Sequence, residues 1–405
     1  MEDIDLLAIE TELKKDAIIK VIGVGGGGSN AVNYMYSMGI KDVDFVVCNT
    51  DVQALRDSPV NTRIQIGKEL TCGLGAGSIP ERGRDSAIEN IDSIEAILKN
   101  NTKMAFITAG MGGGTGTGAA PVIAKKAREL GILTVGIVTI PFYFEGRKRL
   151  ERAIEGIREI NLNVDAILII NNQRLREMYG DLKLSEAFAK ADDVLAIAAR
   201  SIAEIITSVN NINIDLRDVM SVTKNAGVAV MGSGDADGKG RGVKALEKAL
   251  TSPLLNSSNI YGAENILLNI VSGDGKFTAR EMGEVTRAIE DKVGDRAEVI
   301  WGYGTDSSLG DKVRVTIIAT GFARNPLPCY ESMQEVEEED IPMKVTNLDE
   351  IQKNIESVEE EKNIAETKED REKERRQKLK RKSTMEEAWV LKTIGSLFSD
   401  KDTEM

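Results

Sequence analysis

Thr108-Ala109-Gly110-Met111-Gly112-Gly113-Gly114-Thr115-Gly116-Thr117-Gly118-Ala119-Ala120 decides how this chain folds. Six glycines, threaded with Thr115 and Thr117, stand between an apolar run and an amphipathic one. Met104-Ala105-Phe106-Ile107 is short and apolar like a buried strand, and Ala119 to Leu130 carries helical spacing. The glycines therefore fall at a strand-to-helix turn. Residues without Cβ there let backbone N–H groups converge on an anion at the helix N-terminus, where the dipole also favours negative charge. With the Thr115 and Thr117 hydroxyls as added donors, the stretch reads as a phosphate cradle without a lysine. A flexible glycine turn with no ligand is the alternative, and the threonines at such a junction weigh against it.

The same pattern occurs upstream. Ile18 to Ile22 reads as a strand, Gly23-Val24-Gly25-Gly26-Gly27-Gly28-Ser29-Asn30 as a loop, and Ala31 to Met38 as a helix. Val43 to Cys48 reads as a strand running into Asn49-Thr50-Asp51, and Gly73-Leu74-Gly75-Ala76-Gly77 is a third glycine loop. Further on, Ile132 to Thr139 and Val164 to Ile170 read as strands, Glu145 to Ile160 and Ser185 to Val209 as helices. This alternation predicts a doubly wound α/β domain on a parallel sheet, with a ligand crevice at the carboxyl edge of the strands. In the long helix, Leu195, Ala198, Ile202, Ile205, Ile206 and Val209 face one way, as in a central helix between two domains. Beyond Asn210, four strands are expected at Gly227 to Gly232, Asn265 to Ser272, Ala297 to Tyr303 and Lys312 to Thr320, with helices at Gly242 to Leu250 and Thr278 to Lys292. That is an α+β domain with a four-stranded sheet. The expected organisation is an N-terminal arm (1–17), a nucleotide-binding domain (18–184), the central helix (185–209), the α+β domain (210–322), a disordered charged linker (323–387) and a C-terminal partner-binding segment (388–405).

Composition narrows the function. A net charge of −13 leaves no basic excess for nucleic acid. The acidic start Met1-Glu2-Asp3-Ile4-Asp5 lacks the features of a signal peptide and no apolar run has spanning length, so a cytoplasmic protein without a membrane span is expected. Cys48, Cys72 and Cys329 are widely spaced and point to neither a disulfide framework nor zinc. There is no histidine, which removes the commonest general base and leaves proton handling to carboxylates. Phosphoryl transfer asks little of an acid or base and suits such a chain. Between residues 331 and 405, 22 acidic residues stand against 14 basic ones, the signature of a segment that cannot offset its ordering entropy.

Gly23-x-Gly25-x-x-Gly28 between a strand and a helix also matches the Rossmann dinucleotide fingerprint, with Asp51 near the place of its ribose acid, so an NAD(P)-dependent oxidoreductase is the alternative function. That fingerprint leaves the second phosphate loop unexplained. A Walker A motif is absent: Gly238-Lys239 and Gly275-Lys276 lack its spacing and its following Ser or Thr.

Gly112 to Gly118, GGGTGTG, with Ala109-Gly110-Met111 before it and Ala119-Ala120-Pro121 after it, resembles the signature of the tubulin/FtsZ family of GTPases. The resemblance covers roughly residues 16 to 322. It implies a self-assembling GTPase whose polymer organises the cell-division ring, with GTP and GDP as substrate and product and Mg2+ held mainly by the phosphates. A nucleotide-binding scaffold without hydrolysis is a third possibility. The implied phosphate contacts are Gly26, Gly27, Gly28, Ser29 and Asn30 in the first loop, Gly75, Ala76 and Gly77 in the third, and Gly112, Gly113, Gly114, Thr115, Gly116 and Thr117 in the signature; Ser29 departs from the family pattern. The ribose side matches Glu145 and Arg149, which also read as a simple i, i+4 ion pair. The base side matches Asn172, Phe188 and Asp192, with Asp193 as a second candidate, because a carboxylate accepts from the adjacent ring N–H and amino group of guanine.

Asn210 to Val219 resembles the loop with which one family subunit completes the active site of the next. Asn213 reads as a helix cap, and Asp215 and Asp218 place carboxylates on one side of the following turn, ordinary capping chemistry in isolation. The resemblance makes Asn213, Asp215 and Asp218 catalytic and implies a head-to-tail homopolymer. It also implies docking of membrane-tether and division-regulator proteins on the C-terminal segment. Here Asp340-Ile341-Pro342, like the family's docking core, lies early in the charged linker, ahead of most of its charged residues. Beyond the basic block Arg371 to Lys382, Val390, Ile394, Leu397 and Phe398 share one helical face.

Overall fold

Short β-branched runs closed by glycine turns build the parallel strands, and in this computed structural model four of them are buried on both faces along almost their whole length. The structure describes residues 17–322, except residues 41, 181–182, 208–211, 213, 253–259, 274 and 295–296. The arm before residue 17, Asn213, Val209, Cys329, the charged linker and the C-terminal segment lie outside the described residues.

The first half runs β1 (Ile19–Val24), α1 (Gly25–Ser37), β2 (Val43–Asn49), α2 (Val52–Arg56), β3 (Thr62–Gln65), α3 (Lys68–Thr71), α4 (Pro80–Glu89), α5 (Ile91–Lys99), β4 (Met104–Gly110), α6 (Thr115–Glu129) and β5 (Leu133–Ile140). Then come α7 (Arg147–Asn161), β6 (Ala166–Asn171), α8 (Asn172–Tyr179) and the central helix α9 (Leu184–Thr207). The second half is α10 (Leu216–Thr223), β7 (Gly227–Ala236), α11 (Arg241–Leu250), β8 (Asn265–Ser272), α12 (Ala279–Val293), β9 (Glu298–Thr305) and β10 (Val313–Thr320). Strand order is β3-β2-β1-β4-β5-β6-β7-β10-β8-β9. The first six pair in parallel, so all their carboxyl ends open on one edge. The predicted doubly wound sheet is therefore present.

The four-stranded second sheet is present too, but it is not separate. The start of β7 pairs in parallel with β6 and its continuation runs antiparallel to β10, so one strand joins both sheets. Helices α1 and α9 cover one face of the first sheet around Phe106 and Ile137, and α6 and α7 cover the other around Ile107 and Val138. Leu195, Ala198, Ile202 and Ile205 of α9 are buried with Met231, Leu267 and Ile318 of the second sheet, as a central helix requires. A third cluster packs α11 and α12 on the far face of that sheet. Helix α12 shows how local signals fix its ends: Thr278 accepts from Glu281 N–H at 3.2 Å, Glu281 accepts from Thr278 N–H at 2.8 Å, and Gly294 stops it at φ 95°.

Three helix starts differ from expectation, and β7 runs on to Ala236, four residues beyond the expected Gly232. Gly25 to Gly28 form the first turn of α1 instead of a preceding loop, and Thr115 to Gly118 likewise begin α6. Low helix propensity is overridden because each turn is packed against its neighbours. The helix expected from Glu145 starts at Arg147: Gly146 lies at φ 99°, and Tyr143–Glu145 form a separate 3-10 turn. The stretch between β2 and β4, where sequence reading placed only the glycine loop at 73–77, holds one short strand and four helices.

Candidate nucleotide site

β1 and β4 are neighbours, so α1 and α6 start side by side at the carboxyl edge. Neither first turn has a side-chain cap. Their N–H groups are left for a ligand, and both dipoles favour an anion there. The two starts touch, because Gly25 lies at φ 72° and a Cβ on it would sit 2.6 Å from Gly116 N. Ser29 Oγ, in the same turn of α1, is buried without a hydrogen-bond partner. Gly26, Gly75 and Gly113 have open space where a Cβ would project, whereas Gly114 does not: its Cβ would meet Ala76 Cβ and Ile79 N, both at 2.8 Å. Gly114 thus seats the Gly75-Ala76-Gly77 loop against the signature turn. Asn30 is exposed one residue beyond Ser29.

The two threonine hydroxyls correct the simple picture of free phosphate donors. Thr115 Oγ1 lies 2.7 Å from Thr50 Oγ1, and Thr117 Oγ1 accepts from Gly112 N–H at 2.9 Å. Both shape the turn from within. Thr50 is a participant that sequence reading missed; its place at the end of β2 was the available signal.

On the ribose side, Glu145 is nearly buried, accepts from Phe142 N–H at 2.9 Å and pairs with Arg149 at 3.0 Å. Arg149 in turn packs on Gly112, whose Cβ would come within 2.5 Å of Arg149 O. The pair is therefore tied to the phosphate turn and is more than a surface i, i+4 contact. On the base side, Phe188 stands edge-on to Phe142 at 5.4 Å and to Phe144 at 6.3 Å. Phe144, not expected from sequence, is stacked on Phe142 and 54% exposed, and Phe188 is 41% exposed. Aromatic faces left open in this way offer stacking for a base. Asn172, at the start of α8, is buried with an unpartnered Oδ1.

Asp192 and Asp193 point to different duties. Asp193 accepts from Tyr34 Oη at 3.1 Å and from Lys190 at 3.4 Å, tying α9 to α1. Asp192 shares the face of Phe188, four residues away, and burial pushes its carboxyl up to about 6. A guanine placed against it, with two adjacent donors, would favour the ionised form, and GTP affinity would then fall as pH drops through about 6. Asp192→Asn should bind with a flat profile over the same range, read by titration of a fluorescent GTP analogue. The sign for stability is opposite. A folded-state value above the unfolded one means that ionisation disfavours the fold, so the nucleotide-free Asn variant should melt higher at pH 7.

Asp215 and Asp218 lie in the second half, beyond the far end of α9. Asp215 Oδ1 accepts from Arg217 N–H at 2.7 Å and Asp218 N–H at 2.9 Å, and Asp218 Oδ2 accepts from Asp215 N–H at 2.8 Å. They form a capping box on α10. Asp51, the ribose acid of the dinucleotide reading, is occupied capping α2, where it accepts from Gln53 and Ala54 N–H. Among the described residues no group of three acidic, thiol or imidazole side chains is placed to hold a metal, and no helix is long and apolar enough to cross a membrane.

The GTPase domain of the tubulin/FtsZ family matches residues 18–180, and the C-terminal domain of the FtsZ family matches residues 227–323. The cell division protein FtsZ of Porphyromonas gingivalis is 50% identical over 323 residues, covering 80% of this chain and 71% of that protein. The FtsZ of Pseudomonas aeruginosa is 47% identical over 311 residues, 76% of this chain and 78% of its own length. An empty FtsZ dimer from M. jannaschii superposes with a TM-score of 0.70 at 38% identity, over 76% of this chain and 90% of that one. A GTPγS-bound CetZ2 protofilament from Haloferax volcanii, at 21% identity and a TM-score of 0.67 over 79% of this chain and 97% of that one, shares the fold. None of these similarities supports the oxidoreductase alternative.

Proposed function

We propose how the site works from one premise: this chain belongs to the tubulin/FtsZ family and is an assembling GTPase of cell division. The observation that carries the reading is the pair of uncapped helix starts in contact at one sheet edge, beside an open aromatic face and an unpaired carboxylate. The first turns of α1 and α6 hold the phosphates through N–H groups, with Gly26 and Gly113 leaving room for close approach. Glu145 and Arg149 hold the ribose. Asn172 and Asp192 read the base and Phe188 stacks on it, Asp192 discriminating against adenine, which has no adjacent pair of donors. With no acidic cluster among the described residues, Mg2+ takes its ligands mainly from phosphates and water, and offsets their charge.

Hydrolysis needs a group to orient water at the γ-phosphate, and two carboxylates of the nucleotide edge are already engaged, Asp51 capping α2 and Glu145 paired with Arg149. Asp215 and Asp218 are the candidates, together with Asn213. From Phe188 to the end of α9 the helix rises about 30 Å, so those carboxylates serve the nucleotide of the next subunit. Such a contact is heterologous and propagates into a filament. GTP-dependent light scattering together with phosphate release tests this: release without scattering at any protein concentration would remove the shared site, and scattering without release would make the protein a scaffold.

The C-terminal segment supplies cytoplasmic attachment to a tether at the division site. The apolar face that helical spacing would give Val390, Ile394, Leu397 and Phe398, beside a basic block, suits a partner groove. Truncation after Glu387 should leave turnover and filaments near normal and remove membrane attachment in cells. A truncated protein that still forms a membrane-attached ring would refute this role.

A further inference from the structure

β9 is the edge strand of the second sheet, and Ile212, ahead of α10, pairs with it. Ile212 and Tyr303 exchange both backbone hydrogen bonds, at 3.0 and 3.1 Å. Tyr303 is itself fixed, its hydroxyl 2.8 Å from Ser272 Oγ and its ring stacked on Phe277. Two residues along the loop, Ile214 is buried in the cluster that contains α9. The space that Ile214 fills exists because Gly302 has no side chain: a Cβ there would lie 2.8 Å from both Ile214 Cγ1 and Cδ1 and 3.1 Å from Ile212 O. Gly302 is not among the residues with positive φ, so its backbone does not call for glycine, and in a strand interior glycine is otherwise the weaker choice. Accommodating Ile214 is the structural reason for it. The next residue is Asp215, whose cap on α10 is continued inward by buried Val219 and Val222.

We propose that β9 positions the loop bearing Asp215 and Asp218 for hydrolysis, with Gly302 as the positioning residue. This rests on the reading that those carboxylates act on a neighbour's nucleotide. The second half of the chain then holds the catalytic loop in place by two backbone hydrogen bonds and one filled notch, while the first half holds the substrate. A methyl group at 302 forces Ile214 out of the notch and moves Asp215 with it, and misplacement on the scale of an ångström is costly to turnover.

The test is steady-state GTP turnover and GTP-analogue affinity in full-length Gly302→Ala, and in Gly302→Ala combined with Ile214→Ala, which removes both Cγ1 and Cδ1 and lets the new methyl take up part of the notch. Turnover is expected to fall about tenfold in the single variant with affinity unchanged, and to recover in the double variant. Ile214→Ala, which leaves β9 untouched, should lose turnover in the same way and serves if Gly302→Ala fails to fold. Unchanged turnover in the single variants, or a loss that the double variant does not recover, would overturn the proposal. Asp215→Asn, run alongside, separates the two readings. If it keeps full turnover, the shared site itself is wrong; if it is inactive while Gly302→Ala is normal, only the positioning role of Gly302 fails.

Discussion

Asp215→Asn should bind GTP as tightly as the unaltered chain and lose about 100-fold or more of its turnover, the scale of a lost water-orienting group. Asparagine is the informative replacement because Asp215 has a structural duty as well, accepting two N–H bonds at the start of α10. Asparagine caps as well as aspartate does, whereas alanine would also destabilise the helix by about 1 kcal/mol. A melting curve close to that of the unaltered chain, combined with lost phosphate release, assigns the defect to chemistry. Mixing Asp215→Asn with a phosphate-loop variant should restore part of the activity, since an intact loop can then face an intact pocket. If turnover survives in Asp215→Asn, the carboxylate only caps α10, and the capping box accounts for both acids.

How much of this was readable from sequence follows from the range of the interactions involved. The glycine turns, the apolar strands and the extent of α12 are local signals, and all were legible. The joining of the two sheets was not. It depends on β7 changing partners along its length, from Ala166–Leu168 on one side to Val313–Ala319 on the other, and that pairing leaves no trace in periodicity. The helical start at Gly25 was also hidden, because glycine is a poor helix former and that turn is held by distant neighbours, Gly116, Gly110 and Thr108 among them. At the site, Asp192 and Phe188 were named through the family resemblance, not through any local pattern. Thr50, Tyr34 and Phe144 were missed because they act on other side chains, at separations of 65 residues for Thr50 and 159 for Tyr34.

Two neighbouring glycines of the signature should fail in opposite ways, which separates ligand space from packing space. At Gly113 a Cβ projects into open space, so Gly113→Val should fold and melt normally and yet lose GTP binding by about 100-fold, the equivalent of two charge-assisted hydrogen bonds to phosphate. At Gly114 the same change drives the side chain into Ala76 and the backbone of Ile79. Neither can move freely, since Ile79 N–H bonds to Ala76 O at 3.2 Å and Pro80 begins α4. Gly114→Val should therefore lower stability by about 1–3 kcal/mol through overpacking, with loss of binding as its consequence. Thermal melts and titration of a fluorescent GTP analogue on both variants read the two effects separately. Tight binding by Gly113→Val would place the phosphates elsewhere on the sheet edge. A normal melt for Gly114→Val would mean that the Gly75–Gly77 loop gives way easily, and that Gly114 owes its place to the phosphates after all.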